Sequence, residues 1–87
     1  MFNKYKNLSA SASIKAGAGY VSGIIVNSHT TGTLKLWDSL SATGTIICNT
    51  ITFNNTDRTI FLLELAFTTG LFATIGGTAA DITVVYK

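Results

Sequence analysis

The chain has no proline, one cysteine, one histidine and little charge: Asp, Glu, Lys and Arg make up 11% of its 87 residues. An ordinary soluble domain carries about 25%. The single cysteine, Cys48, excludes an internal disulfide. One cysteine and one histidine are also too few to supply the four ligands of a structural zinc ion. The carboxyl groups, Asp38, Asp57, Glu64 and Asp81, are dispersed, with no D-x-D grouping to build a calcium loop. Long hydrophobic runs are missing as well. The longest, Ile60–Phe67, spans eight residues and contains Glu64, whereas a membrane-spanning helix needs about 20. Net charge is only +2, and apart from Lys4 and Lys6 the basic residues are scattered, so neither a membrane nor a nucleic acid is an expected partner.

The first residues, MFNKYKNLSASAS, hold two lysines with no apolar segment behind them, so no secretory signal is expected. With a free cysteine, this fits synthesis and folding in a reducing cytoplasm. Asn7-Leu8-Ser9 and Asn54-Asn55-Thr56 match the glycosylation pattern, and without a signal they are read as incidental.

What the chain has in quantity is apolar surface. Hydrophobic residues make up 47%, yet a domain of this length buries only about 60–65% of its unfolded surface. More apolar area is on offer than one thin core can hide, so burial between copies, a homo-oligomer, is expected.

The apolar residues recur with a period of two. In Gly19–Asp38, GYVSGIIVNSHTTGTLKLWD, Tyr20, Ser22, Ile24 and Val26 alternate with Val21, Gly23 and Ile25. After a polar Gly-closed turn, Leu34 and Leu36 alternate with Thr33, Lys35 and Trp37. This pattern predicts a β-hairpin. Ala12–Ala16 forms a short first strand with Ile14 inward and Lys15 outward. Thr45–Phe53 is a strand with Ile47, Asn49, Ile51 and Phe53 on one face, and Asn49 there suits a strand near a sheet edge or a subunit boundary. Thr59–Phe67, apolar on both faces, is a strand covered on both sides, with Phe61, Leu63, Leu65 and Phe67 on one of them. Leu71–Ile75 and Asp81–Lys87 complete the set, separated by the permissive Gly76-Gly77. Short strands about ten residues apart predict an all-β fold. The expected form is a single antiparallel sandwich, jelly-roll-like, of about 6–8 strands, with a small barrel as the alternative. Residues 1–13 read as an N-terminal arm and residues 14–87 as the sandwich domain.

Catalytic constellations are absent. His29 lies beside Ser28 in a polar turn, whereas triad members must converge from separate elements. No two carboxyl groups are spaced for acid and base roles, and Gly17-Ala18-Gly19 precedes a strand rather than a phosphate-binding helix. Trp37, the one tryptophan, has no companion for a carbohydrate platform and reads as core or interface. Cys48 reads as a small buried apolar residue. The expectation is a protein without cofactor or catalysis.

The runs GAGYVSGIIVNS, TGTLKLWDS, GTIICNTITF and TTGLFATIGGTAADITVVYK together resemble small β-sandwich structural proteins of tailed bacteriophages, of the capsid decoration or cement type. The resemblance covers roughly Ile14–Lys87 and is strongest in Gly32–Asp38 and Gly70–Lys87. It implies a non-enzymatic virion protein on the capsid surface, made in the host cytoplasm. Such a protein oligomerises, a trimer being favoured, and binds the major capsid protein to stabilise the shell. The same composition suits a tail, neck or fibre module. A carbohydrate-binding module is a further alternative, and it would need Trp37 or Tyr20 exposed in a groove. The residues expected to contact capsid or subunit are Phe2, Lys4, Tyr5, Lys6, Trp37 and Phe61.

Overall fold

A computed structural model of the chain describes residues 4–28, 32–52, 60–77 and 81–87, the side chains of 60–64 excepted. Eight strands follow one another: β1 (Lys4–Leu8), β2 (Ala12–Ala16), β3 (Gly19–Ser28), β4 (Thr33–Asp38), β5 (Thr45–Thr52), β6 (Ile60–Phe67), β7 (Gly70–Gly76) and β8 (Asp81–Tyr86). They form two four-stranded sheets, ordered β1-β8-β3-β6 and β2-β7-β4-β5, called here the β1 sheet and the β2 sheet. Every neighbouring pair is antiparallel. Two sheets with this order are the paired Greek keys of a jelly roll. The expected sandwich is present, and the described strands do not close into a barrel.

The hairpin predicted over Gly19–Asp38 is not there. Its two strands exist, but β3 lies in the β1 sheet and β4 in the β2 sheet, so their connection crosses between layers. Only β4 and β5 are joined within one sheet. Alternation specifies which face of a strand is buried, and it is silent about which neighbour supplies the hydrogen bonds.

Residues expected to form an arm enter the sheet. From Lys4 onward the chain is β1, paired with β8 from Lys4↔Tyr86 to Leu8↔Ile82. Leu8 anchors it, 5% exposed in the core. The segment concealed its period because three of its five side chains are Lys or Asn, residues a strand tolerates at an edge. Phe2 lies outside the described residues, as do His29, Phe53, Asp57 and Arg58. Phe61 and Glu64 belong to β6 by backbone, with their side chains outside the description.

The core lies between the sheets. Val21, Ile24, Val26, Phe67, Ile82 and Val84 come from the β1 sheet, facing Ile14, Leu34, Leu36, Leu71 and Ala73 from the β2 sheet. A fully buried side chain of this size contributes roughly 1.5–3 kcal/mol. The molecule measures 33 × 29 × 16 Å, a thickness consistent with two sheets about 10 Å apart plus their outer side chains.

Register shifts interrupt several pairings, and those involving β3 and β5 account for burial that departs from strict alternation. In β3 the register shifts between Val21 and Gly23, so Val21 is buried together with Ile24 and Val26 rather than opposite them. In β5 the register against β4 shifts twice. As a result Ile47 and Cys48, adjacent in sequence, both pack against the core. Each shift is a β-bulge, which places two residues of one strand against one of its partner. As expected for Asn49, β5 is an edge strand and that residue is exposed.

Candidate functional surfaces

Asp38 ends β4 as the chain leaves the β2 sheet. Its carboxylate accepts backbone N–H groups from Thr69 at 2.8 Å, Thr68 at 3.0 Å and Gly70 at 3.4 Å, and also the Thr68 hydroxyl at 3.3 Å. These donors form the turn between β6 and β7, where the chain passes from the β1 sheet to the β2 sheet. The N–H groups of Thr69 and Thr68 hold the Asp38 carboxyl below its ordinary pKa. Next to it, Ser39 N donates to Gly70 O at 3.1 Å, and Gly17 N donates to Thr69 O at 2.9 Å. This carboxylate is occupied in holding a turn.

A second polar group lies on the outer face of the β1 sheet. Asn7 Nδ2 donates to Asp81 Oδ1 at 2.6 Å and to Thr83 Oγ1 at 3.0 Å. Asn27 Nδ2 approaches the same two atoms from the other side, at 3.3 Å and 3.0 Å. β8 lies between β1 and β3 in the sheet order, and so brings together residues 74 positions apart in sequence. A register shift between Val26 and Ser28 marks the bulge that contains Asn27.

Trp37 sits on the outer face of the β2 sheet, half-buried. Its Nε1 donates to Thr74 Oγ1 at 3.0 Å, and Lys35 Nζ lies 4.3 Å from the ring centre. In register it stands between Phe72 of β7 and Ile46 of β5. The three form an apolar row across the sheet, because residues directly opposite in an antiparallel pair share a face. Ile46 is 43% exposed.

The other expected contact residues are dispersed. Tyr5 is 74% exposed on the outer face of the β1 sheet. Lys4 and Lys6 lie on the opposite face of β1, in register with Tyr86 and the buried Val84. Lys6 Nζ donates to Ser13 O at 3.0 Å, linking the edge strands β1 and β2 of the two sheets. Tyr5 and Trp37 therefore belong to different layers, and no single surface unites the set. Tyr20 is exposed beside a recess of about 350 Å³ lined by Val21, Ser22 and Lys87. Cys48 is half-buried, and burial raises its thiol pKa.

Comparison of the chain with family models, curated proteins and solved structures finds no match. The surfaces must therefore speak through their own chemistry. Among the described residues, no three His, Cys, Asp or Glu side chains group to hold a metal ion. Among the same residues, no helix is long and apolar enough to cross a membrane.

Two arrangements are not legible in the sequence. The turn role of Asp38 follows from its place at a strand end, but its partners lie thirty residues further on. The Asn7–Asn27–Asp81–Thr83 network had one faint signal, asparagine within strands, where its propensity is poor.

Proposed function

We propose that this chain is a non-enzymatic virion structural protein of the capsid decoration type. In this reading it assembles as a homotrimer and binds the major capsid protein on the outer shell. The observation that carries it is the row Ile46–Trp37–Phe72, an apolar stripe on the outer face of a sheet whose edge strand, β5, has no charged residue. Leu40, in the loop leading to β5, is a further exposed apolar side chain, at 55% exposure. A soluble chain gains by covering such a surface with a copy of itself, as its surplus of apolar residues requires. Contact through side chains suits β5 better than addition of another strand, since its two bulges bend the free edge.

The jelly-roll order supports the reading by analogy, since viral capsid domains use this architecture among other protein classes. Attachment would strengthen a shell through contact area spread over neighbouring capsomers, with no chemical step.

Light scattering after size exclusion tests the assembly. A trimer is expected for the native chain, and a monomer for Ile46→Lys with the fold retained. A native chain that stays monomeric at micromolar concentration overturns the assembly. Electron microscopy of virions tests the location: density of this size belongs on the capsid, and density confined to tail or neck assigns the chain to that structure instead.

A further inference from the structure

The sequence scatters its lysines, and the fold gathers three of them. β1 and β2 are edge strands of different sheets on the same side of the sandwich, where Lys6 Nζ donates to Ser13 O at 3.0 Å. Lys4 and Lys6 stand in register with Tyr86 and the buried Val84, so both point toward the gap between the sheets. Lys15 stands opposite the buried Leu71 and points the same way from the other sheet. Its Nζ lies 2.9 Å from where a Cβ on Gly19 would stand, and the ring of Phe67 is as close to that point. Three cations from two strands thus line one side of the molecule. The other two described lysines lie elsewhere: Lys35 covers Trp37, and Lys87 borders the Tyr20 recess. The two carboxylates whose side chains are described are both engaged, Asp38 by the N–H groups of a turn and Asp81 by the amides of Asn7 and Asn27. A lysine on a sheet edge commonly keeps other strands away, and the exposed Lys4 fits that role alone. Lys15 does not, because it is half-buried, with its ammonium beside an aromatic ring rather than projecting from the edge. A cation set against apolar atoms without a counter-charge is costly, and an anion from outside the chain offsets that cost.

We propose that this side of the sandwich docks on a carboxylate-rich protein surface through Lys4, Lys6 and Lys15. On the reading of the chain as a shell-binding protein, on which this rests, it is the face that meets the shell. The apolar stripe, whose exposed end is Ile46 on the far edge of the β2 sheet, stays free for contact between copies. Lys4 and Lys6 are alternate residues of one strand, about 7 Å apart, the spacing of alternate carboxylates on an extended partner segment. An ammonium is a point charge on a flexible stem, so each lysine meets a carboxylate without a fixed geometry. Complementary charge of this kind steers the encounter and selects the partner. A nucleic acid suits the face less well. Three lysines, with no arginine among the described residues, neutralise few phosphates. Tyr5, between Lys4 and Lys6 in sequence, faces the other way and offers no base a ring to stack on here.

The test is an NMR titration of the isotope-labelled full chain with poly-L-glutamate in low salt. Saturable shifts are expected in the backbone amides of β1 and β2, and they should weaken as salt rises through the physiological range. Lys4→Gln and Lys15→Gln should each weaken binding by up to about five-fold, the scale of one exposed ion pair. The triple variant that adds Lys6→Gln should abolish the shifts, and Lys35→Gln should leave them unchanged. Lys4 is exposed, so a failure of Lys15→Gln to fold would leave a working variant. Absence of shifts in low salt overturns the proposal, as do shifts centred on Lys35 or Lys87, or a triple variant that binds like the native chain. Tighter binding of duplex DNA or of phosphatidylglycerol vesicles at the same amides also overturns it, since the occupant would then be a phosphate surface. Trimers or capsid density without poly-glutamate binding would keep the shell reading and remove this face from it. Poly-glutamate binding at these amides by a chain that stays off the capsid would do the reverse.

Discussion

Asp38 Oδ1 accepts the backbone N–H of Thr69 at 2.8 Å, and through this bond the end of one strand holds the turn that leads into another. Thr68 and Gly70 add their N–H groups to the same carboxylate. A short acidic side chain thus ties the crossing between layers to the rim of the β2 sheet.

The bond makes stability depend on pH. The folded Asp38 carboxyl has a lowered pKa because Thr69 and Thr68 donate to its charged form. The unfolded chain then binds the proton more tightly, so the contribution is complete above the ordinary aspartate value of 3.8 and disappears as pH falls through the lowered folded value. Melting temperature measured across acid pH should decline for the native chain. Asp38→Asn should melt lower at neutral pH, and the gap to the native chain should narrow as pH falls through the lowered folded value, where the Asp38 carboxyl takes up its proton. A constant gap across that range would show that the charge contributes nothing.

Leu36 is fully buried between the sheets and lies opposite Ala73 and Cys48. Leu36→Ala should reduce unfolding free energy by about 2–5 kcal/mol, from lost transfer energy and the cavity left behind. Urea denaturation followed by far-ultraviolet circular dichroism measures it. Against a whole-domain stability of about 5–15 kcal/mol, the variant stands near the limit of folding.

Trp37 and Thr74 form a half-buried pair on the outer face of the β2 sheet. Thr74→Val keeps the volume and removes the acceptor, so it should cost about 0.5–1.5 kcal/mol. It should also shift the tryptophan emission, since the indole loses a fixed partner. Because the side chain stays apolar, the oligomeric state seen by light scattering should not change.

Gly70 has no room for a side chain. A methyl group there would meet Leu40 Cδ2 at 2.7 Å, Lys15 O at 2.9 Å and Ser39 O at 3.1 Å. Two of these are backbone atoms, which cannot swing aside as a flexible side chain can. Gly70→Ala should destabilise by about 1–3 kcal/mol, the usual penalty of overpacking. Gly17→Ala is the comparison. It meets no neighbour, so any loss there reports only its φ of 89°.

The sequence and the structure agree wherever a strand faces one layer of core. Leu34 and Leu36 in β4, Leu71 and Ala73 in β7, and Ile82 and Val84 in β8 alternate and are buried as their spacing predicts. Agreement ends where a property depends on partners distant in sequence. The β3–β4 connection carries all the signs of a hairpin, because a turn between sheets uses the same Gly and polar residues as a turn within one. The bulges in β3 and β5 leave no mark that alternation can register, so the phases of Val21 and Ile47 were misplaced. For the candidate surfaces the pattern is similar. Tyr5 and Trp37 were identifiable as exposed or interfacial aromatics, whereas Asn7 and Asp81 acquire meaning only once β8 lies beside β1.

That adjacency also sets an order in time. β8 stands between β1 and β3, so until residues 81–86 have been synthesised β1 has no partner and β3 lacks one of its two neighbours. The β1 sheet therefore cannot assemble progressively on the ribosome. Its closure waits for β8 and relies on contacts of long range in the chain, which makes for slow folding, on the scale of milliseconds to seconds. During that interval β3, with its buried Val21, Ile24 and Val26, is open to pairing with another chain. Expression at reduced temperature and low chain density should favour the soluble fold.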